Sequence, residues 1–210
     1  MKSQELAYHD PRGKVNVGIG YAVSETGADH LVSIHDTALQ NPESVSFKAA
    51  TKLGIKNALP ARLLNEEKVS MYYICEKWLS VGKVLGLCYF GPAPRSFIQP
   101  EEVVEAVRAA TGWDVDIDEL LEIGDRAINL ARLFNVREGF RRSDDTLPAR
   151  LFTPSESGAL AGVAYPEEDF HNAITALYRL KGWELDTGIP TKQRLEELGI
   201  GWAADLIGND

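Results

Sequence analysis

Two cysteines in 210 residues are too few for a disulfide framework, which points to a reducing compartment. No apolar run approaches the roughly 18 residues of a membrane span. The opening MKSQELAYHDPRG also lacks the apolar core of a secretory signal. A soluble, cytoplasmic chain with no membrane contact is the expectation. Basic residues form neither a stripe nor an arm, and the net charge is −9, so nucleic acid is not an expected partner. G-x-S-x-G, HExxH and Walker A loops are all missing. GIGYAV at 18–23 lacks the third glycine and the preceding long strand of a dinucleotide fingerprint. Strand-like alternation is also too short anywhere to compete with helix.

What remains is a chain with 44% hydrophobic residues, enough for one substantial core or two small lobes. Residues 1 to about 40 are rich in Gly, His and Asp and weakly periodic, and their glycines at 18, 20 and 27 suggest backbone packed on backbone. A helical pattern begins near Glu43. Residues 66–82 carry Val69, Tyr72, Tyr73, Cys75, Trp78 and Leu79 at three-and-four spacing, an apolar face wide enough for a nearly surrounded helix. Pro100 opens the next helix and Gly112 closes it. Asp116 or Asp118 caps the longest one, which runs to Gly139. Pro166 starts a further helix stopped by Gly182, and a short one spans 191–198 before Gly199. The predicted fold is mostly α, a single helical domain over 1–210 with irregular connections.

Three groups of residues carry possible chemistry. In KVLGLCYF at 83–90, glycine permits a tight turn at a helix end and presents Cys88, whose thiolate could ligate a metal or cluster. One cysteine cannot hold a cluster alone. His30 follows Gly27, Ala28 and Asp29, small and acidic neighbours that suit a proton-transfer imidazole, although packing or surface roles are commoner for histidine. His30 and His35 do not form a recognisable zinc pattern, and His171 reads as structural. Arg132, Asn135, Arg137 and Glu138 read best as a network that satisfies helix-end carbonyls, with an anion or cofactor clamp as the alternative.

Several segments taken in order resemble the C-terminal region of the tungsten-containing aldehyde ferredoxin oxidoreductase family. They are HDPRG at 9–13, GIGYAVSETGADHL at 18–31, GLC at 86–88, RLFNVREGF at 132–140, DDTLPARL at 144–151 and LKGWELDTGIPTKQRLEELGI at 180–200. The resemblance implies an irregular helical C-terminal domain. It also implies a tungsten (or molybdenum) bis-pyranopterin and a 4Fe-4S cluster, with aldehyde as substrate and ferredoxin as electron acceptor. Cys88 matches the family's fourth cluster ligand, Leu87 a pterin-contacting backbone position, and Tyr89 extends that contact. His30 matches the histidine on the substrate side of the metal.

Lys83 stands where the family's D-x-x-G-L-C pattern has aspartate, and lysine cannot accept hydrogen bonds from pterin nitrogens. The family's N-terminal pterin platform and its C-x-x-C-x₃-C run are absent, so the missing N-terminal and central domains are expected partners. Alone, the chain is expected to be inactive. Alternatives are a helical scaffold or partner-binding module, and a subunit of a tungsten-dependent aromatic acyl-CoA reductase.

Overall fold

The protein is described by a computed structural model covering residues 2–206; residue 1 and residues 207–210, the ends of the expected 1–210 domain, lie outside the described residues. Among the described residues eight α-helices follow in order: α1 (Val15–Val23), α2 (Asp36–Leu39), α3 (Val45–Thr51), α4 (Glu66–Val84), α5 (Pro100–Thr111), α6 (Ile117–Arg137), α7 (Glu167–Lys181) and α8 (Lys192–Glu197). Short 3₁₀ turns join them. Extended pairing among these residues is limited to isolated bridges such as Trp183 with Pro190. The fold is mostly helical, as the patterning implied.

Local chemistry explains where the helices begin and end. The Asn65 side chain accepts the Lys68 amide at 2.9 Å to start α4, and Asp116 accepts the Glu119 amide at 2.8 Å to start α6. Gln99 and Glu102 form a reciprocal capping box at α5. Thr191 accepts the Arg194 amide at 3.1 Å and starts α8. Gly112 and Gly182 end their helices in the left-handed region, where a side chain would be strained.

Helix α1 carries no periodic signal in the sequence. All nine of its residues are buried, Asn16 among them, so no face of it meets solvent. The close approach expected at its glycines occurs, but against a ring. A Cβ on Gly18 would sit 2.5 Å from the Tyr165 ring, whose hydroxyl donates to the Val15 carbonyl at 2.6 Å.

Helix α4 is the axle. Its side chains enter three apolar clusters: Val69, Tyr72 and Tyr73 with α1 and α7; Met71, Cys75 and Leu79 with α3; Trp78 and Val81 with α5 and α6. Each fully buried side chain of this size contributes about 1.5–3 kcal/mol. Gly124 of α6 lets the two helices touch, because any Cβ there would run into the Lys77 backbone carbonyl.

Charges are buried between these layers, and they are paired. Lys181 reaches Glu76 at 2.7 Å, Arg132 and Lys2 both reach Asp145 at 2.8 Å, and Arg194 reaches Asp125 at 2.6 Å. The polar end of α6 ties down distant loops rather than its own helix-end carbonyls, of which Val136 is met by Arg141 at 2.6 Å. Arg132 Nε donates to the Gly188 carbonyl at 2.8 Å, and Asn135 donates to the Glu25 carbonyl at 3.0 Å.

Candidate functional site

Two segments far apart in sequence line one cavity. The first is HDPRG. Asp10 accepts the Arg12 amide at 2.9 Å and forks onto its guanidinium, folding Pro11–Gly13 into a 3₁₀ turn that leaves His9 at its edge. Lys14 follows as the N-cap position of α1. The buried Asp36 carboxylate accepts the Asn16 amide of α1 at 2.9 Å and pairs with Lys68 at 2.9 Å, drawing its neighbour His35 towards Lys14. His30 begins a 3₁₀ turn capped by Asp29, which accepts the Leu31 amide at 2.8 Å.

The consequence is a triad of imidazoles. The His9 and His30 ring centroids lie 4.7 Å apart, His9 and His35 4.5 Å, and His30 and His35 6.0 Å. Lys14 Nζ sits 3.3 Å from His9 Nδ1 and 3.2 Å from His35 Nδ1. An ammonium only donates, so both Nδ1 atoms accept and the ring protons reside on Nε2. Burial and then the Lys14 charge push His35 down to about 4, and the same two causes lower His9. No group of three or more metal-ligating side chains with metal-holding geometry occurs among the described residues.

The second segment is 83–90. Beyond Val84 the chain turns through Gly86, at φ 68°, and exposes Leu85, Leu87, Cys88 and Phe90. Leu85 and Leu87 border an apolar cavity of about 270 Å³ with Ile98, Val103 and Val107. Cys75, by contrast, is buried in α4, where burial pushes its thiol up to about 12. Lys83 pairs with Glu25 and also meets Tyr89. Burial works to raise the Glu25 carboxyl, but the Lys83 ammonium more than reverses this and holds it below its ordinary range.

Arg95 joins the two segments. Its Nη2 donates to the Leu31 and Ser33 carbonyls at 3.1 and 2.8 Å, while its guanidinium lies 5.7 Å from the ring centres of Tyr89 and Phe90. His30 and Phe90 line one cavity, so the histidine and cysteine segments singled out in the sequence share a rim. Lys14, Glu25 and Arg95 were not singled out. Lys14 directly follows HDPRG, whereas no spacing signal marks Arg95, which meets its carbonyls 62 and 64 residues away.

The implied groups fit this surface in part. Cys88 offers one exposed, unbridged thiol, and a cluster needs several. Lys83 cannot accept a hydrogen bond, but the ionised Glu25 beside it can.

The family model described as "Aldehyde ferredoxin oxidoreductase, domains 2 & 3" matches residues 1–200. A tungsten-containing aldehyde ferredoxin oxidoreductase of Pyrococcus horikoshii is 31% identical over 202 residues, covering 95% of this chain and 30% of the relative. The "Aliphatic sulfonate oxidoreductase, WOR-like subunit" of Pyrococcus furiosus is 30% identical over 191 residues, covering 88% of this chain and 25% of its own length. Among solved structures, "Active site complex BamBC of Benzoyl Coenzyme A reductase in complex with 1,5 Dienoyl-CoA" superposes with a TM-score of 0.50 at 29% identity, over 66% of this chain and 20% of that one. The chain spans under a third of the curated relatives it matches. With the match running from residue 1 to residue 200, this chain belongs to the aldehyde ferredoxin oxidoreductase family.

Proposed function

We propose that this chain supplies the C-terminal domain of a tungsten-pterin oxidoreductase that oxidises aldehydes to carboxylic acids in the cytoplasm and passes electrons to ferredoxin. The observation that carries the reading is the shared rim, where His30 and the segment bearing Cys88 meet on one face in a chain of this family. A tungsten bis-pyranopterin and a 4Fe-4S cluster, when bound, supply the redox chemistry and the onward electron path. Cys88 Sγ is the residue that would ligate the cluster. Leu87 and Tyr89 would border the pterin, and Glu25 would provide the acceptor that Lys83 lacks. His30 holds or moves a proton at its ring nitrogen on the substrate side. The exposed Leu85, Leu87 and Phe90 are then covered by the rest of the enzyme, whose relatives are about three times longer. Without that partner the chain is inactive.

The test is purification from cells supplied with tungstate, together with any copurifying polypeptide. Stoichiometric tungsten and iron, with iron lowered by Cys88→Ser, are expected. Absence of both metals in cells that make other tungstoenzymes would sink the reading. Lys83 is the observation that favours a second one, a helical scaffold that has lost cofactor chemistry. The benzoyl coenzyme A reductase likeness supports a third, a different substrate on the same framework.

A further inference from the structure

The side chain of Lys2 runs into the protein, with only 3% of it left exposed. Its ammonium meets three acceptors: the Ala22 carbonyl at 2.6 Å, the Ser24 carbonyl at 2.9 Å and Asp145 Oδ1 at 2.8 Å. The two carbonyls stand at the end of α1, where a helix leaves oxygens without internal partners and a cation answers its dipole. Ala22 and Ser24 are buried, so those oxygens need a partner from the protein itself.

The backbone points the same way. Lys2 and Ser3 hold φ at 44° and 64°, the left-handed region that is costly for a residue with a side chain. Such strain persists where surrounding contacts over-determine it. Asp145 does not demand this second cation, because Arg132 already pairs with it at 2.8 Å and Tyr178 donates to it. What Lys2 adds is the tie to the end of α1.

Glu25 is the next residue along. Its carbonyl accepts from Asn135 at 3.0 Å, and its carboxylate pairs with Lys83, which also meets Tyr89, the neighbour of Cys88. Ser24 Oγ closes the following turn on the Gly27 carbonyl at 2.5 Å. Any movement at the end of α1 is therefore passed directly to the carboxylate that holds Lys83.

We infer that Lys2 is a positioning residue: by pinning the end of α1 it sets Glu25 against Lys83 and so steadies the segment that carries Cys88. What Glu25 serves there rests on the oxidoreductase reading, but the coupling itself does not. The coupling is measured on the metal-free chain and metal analysis decides that reading, so each can fail alone.

The test compares the full metal-free chain with Lys2→Met and Lys2→Gln by NMR. In the parent, burial works to raise the Glu25 carboxyl, and the Lys83 and Lys181 charges more than reverse it. Lys2→Met should raise the proton affinity of Glu25 by about threefold or more as its grip on Lys83 loosens. Lys2→Gln removes the same charge but keeps a donor for the carbonyls, so it should shift Glu25 less. The Gly27 and Asp29 amides, hydrogen-bonded within the turn, should exchange about tenfold faster in Lys2→Met, while Leu120 at the start of α6 keeps its rate. Should Lys2→Met fail to fold, the same two amides must still exchange faster in Lys2→Gln than in the parent. An unmoved Glu25 in folded Lys2→Met, or equal Glu25 shifts in the two variants, would overturn the proposal. So would exchange that quickens equally at Gly27, Asp29 and Leu120, the mark of a merely global loss of stability.

Discussion

The buried pairs between α4, α6 and α7 and the rim around His30 are both dense in titratable groups, and they handle them in opposite ways. In the interior, Glu76 has Lys181, Asp125 has Arg194, and Asp145 has two cations, with Tyr72, Tyr73 and Tyr178 hydroxyls donating to the same carboxylates. At the rim, three imidazoles stand with Lys14 and Arg95, and the cavity they border has no carboxylate in its lining. Low dielectric makes an unanswered charge costly, so the interior must be closed. Partial exposure lets the rim remain open. Charge that is fully matched holds the fold, whereas at the rim burial and the Lys14 charge hold His9 and His35 in their neutral forms.

The largest test strikes the closed region. Lys181→Met leaves Glu76, whose carboxyl burial already pushes up, without its partner. Urea unfolding should show a loss of about 3–5 kcal/mol. The double variant Lys181→Met with Glu76→Met should recover part of this; a double variant as weak as the single one would break the contrast.

Thiol chemistry compares the regions next. Cys75 is 1% exposed with its thiol pushed up, while Cys88 is exposed, so native labelling should modify Cys88 at least a hundredfold faster. Similar rates would show that the open rim is not open.

Acid should act more gently and through the rim. His35 titrates near 4 in the folded chain, chiefly because it is buried and then because Lys14, His9 and Arg95 face it, with the His30 carbonyl pulling the other way. An unfolded histidine titrates near about 6.5. Between those values only the unfolded chain takes the proton, so stability falls as pH drops from 6.5 towards 4. His9 adds to the same slope. Urea midpoints at pH 7 and pH 5 should differ less in Lys14→Met than in the parent.

The smallest effect belongs to the surface. Phe90→Glu removes a ring that is 60% exposed and should change stability by no more than about 0.5 kcal/mol, while lowering self-association seen by light scattering. If it unfolds the protein instead, the 83–90 segment is core.

Much of this architecture was legible in residues that act locally. Pro100, Gly112, Asp116, Gly182 and Thr191 mark helix ends through contacts within a few positions, and the structure uses them so. Helix α1 was not, because a helix buried all round has no polar face to set a period. The histidine and cysteine segments could be named from the sequence, but their meeting could not. His9, His30 and His35 converge through Asp36 binding the Asn16 amide, and Lys83 finds Glu25 58 residues away. Lys181 and Glu76 lie 105 residues apart. Such partners leave no trace in local pattern.

Gly124 sets a limit on what this chain can become. The curated relatives share only 30–31% identity with this chain, so most aligned positions have changed. At Gly124 even one added methyl would meet the Lys77 carbonyl and force α4 off α6. Helix spacing at the centre of the protein therefore rests on a single hydrogen atom. Descendants that keep these two helices in touch are confined to glycine here, however freely the surface around them drifts.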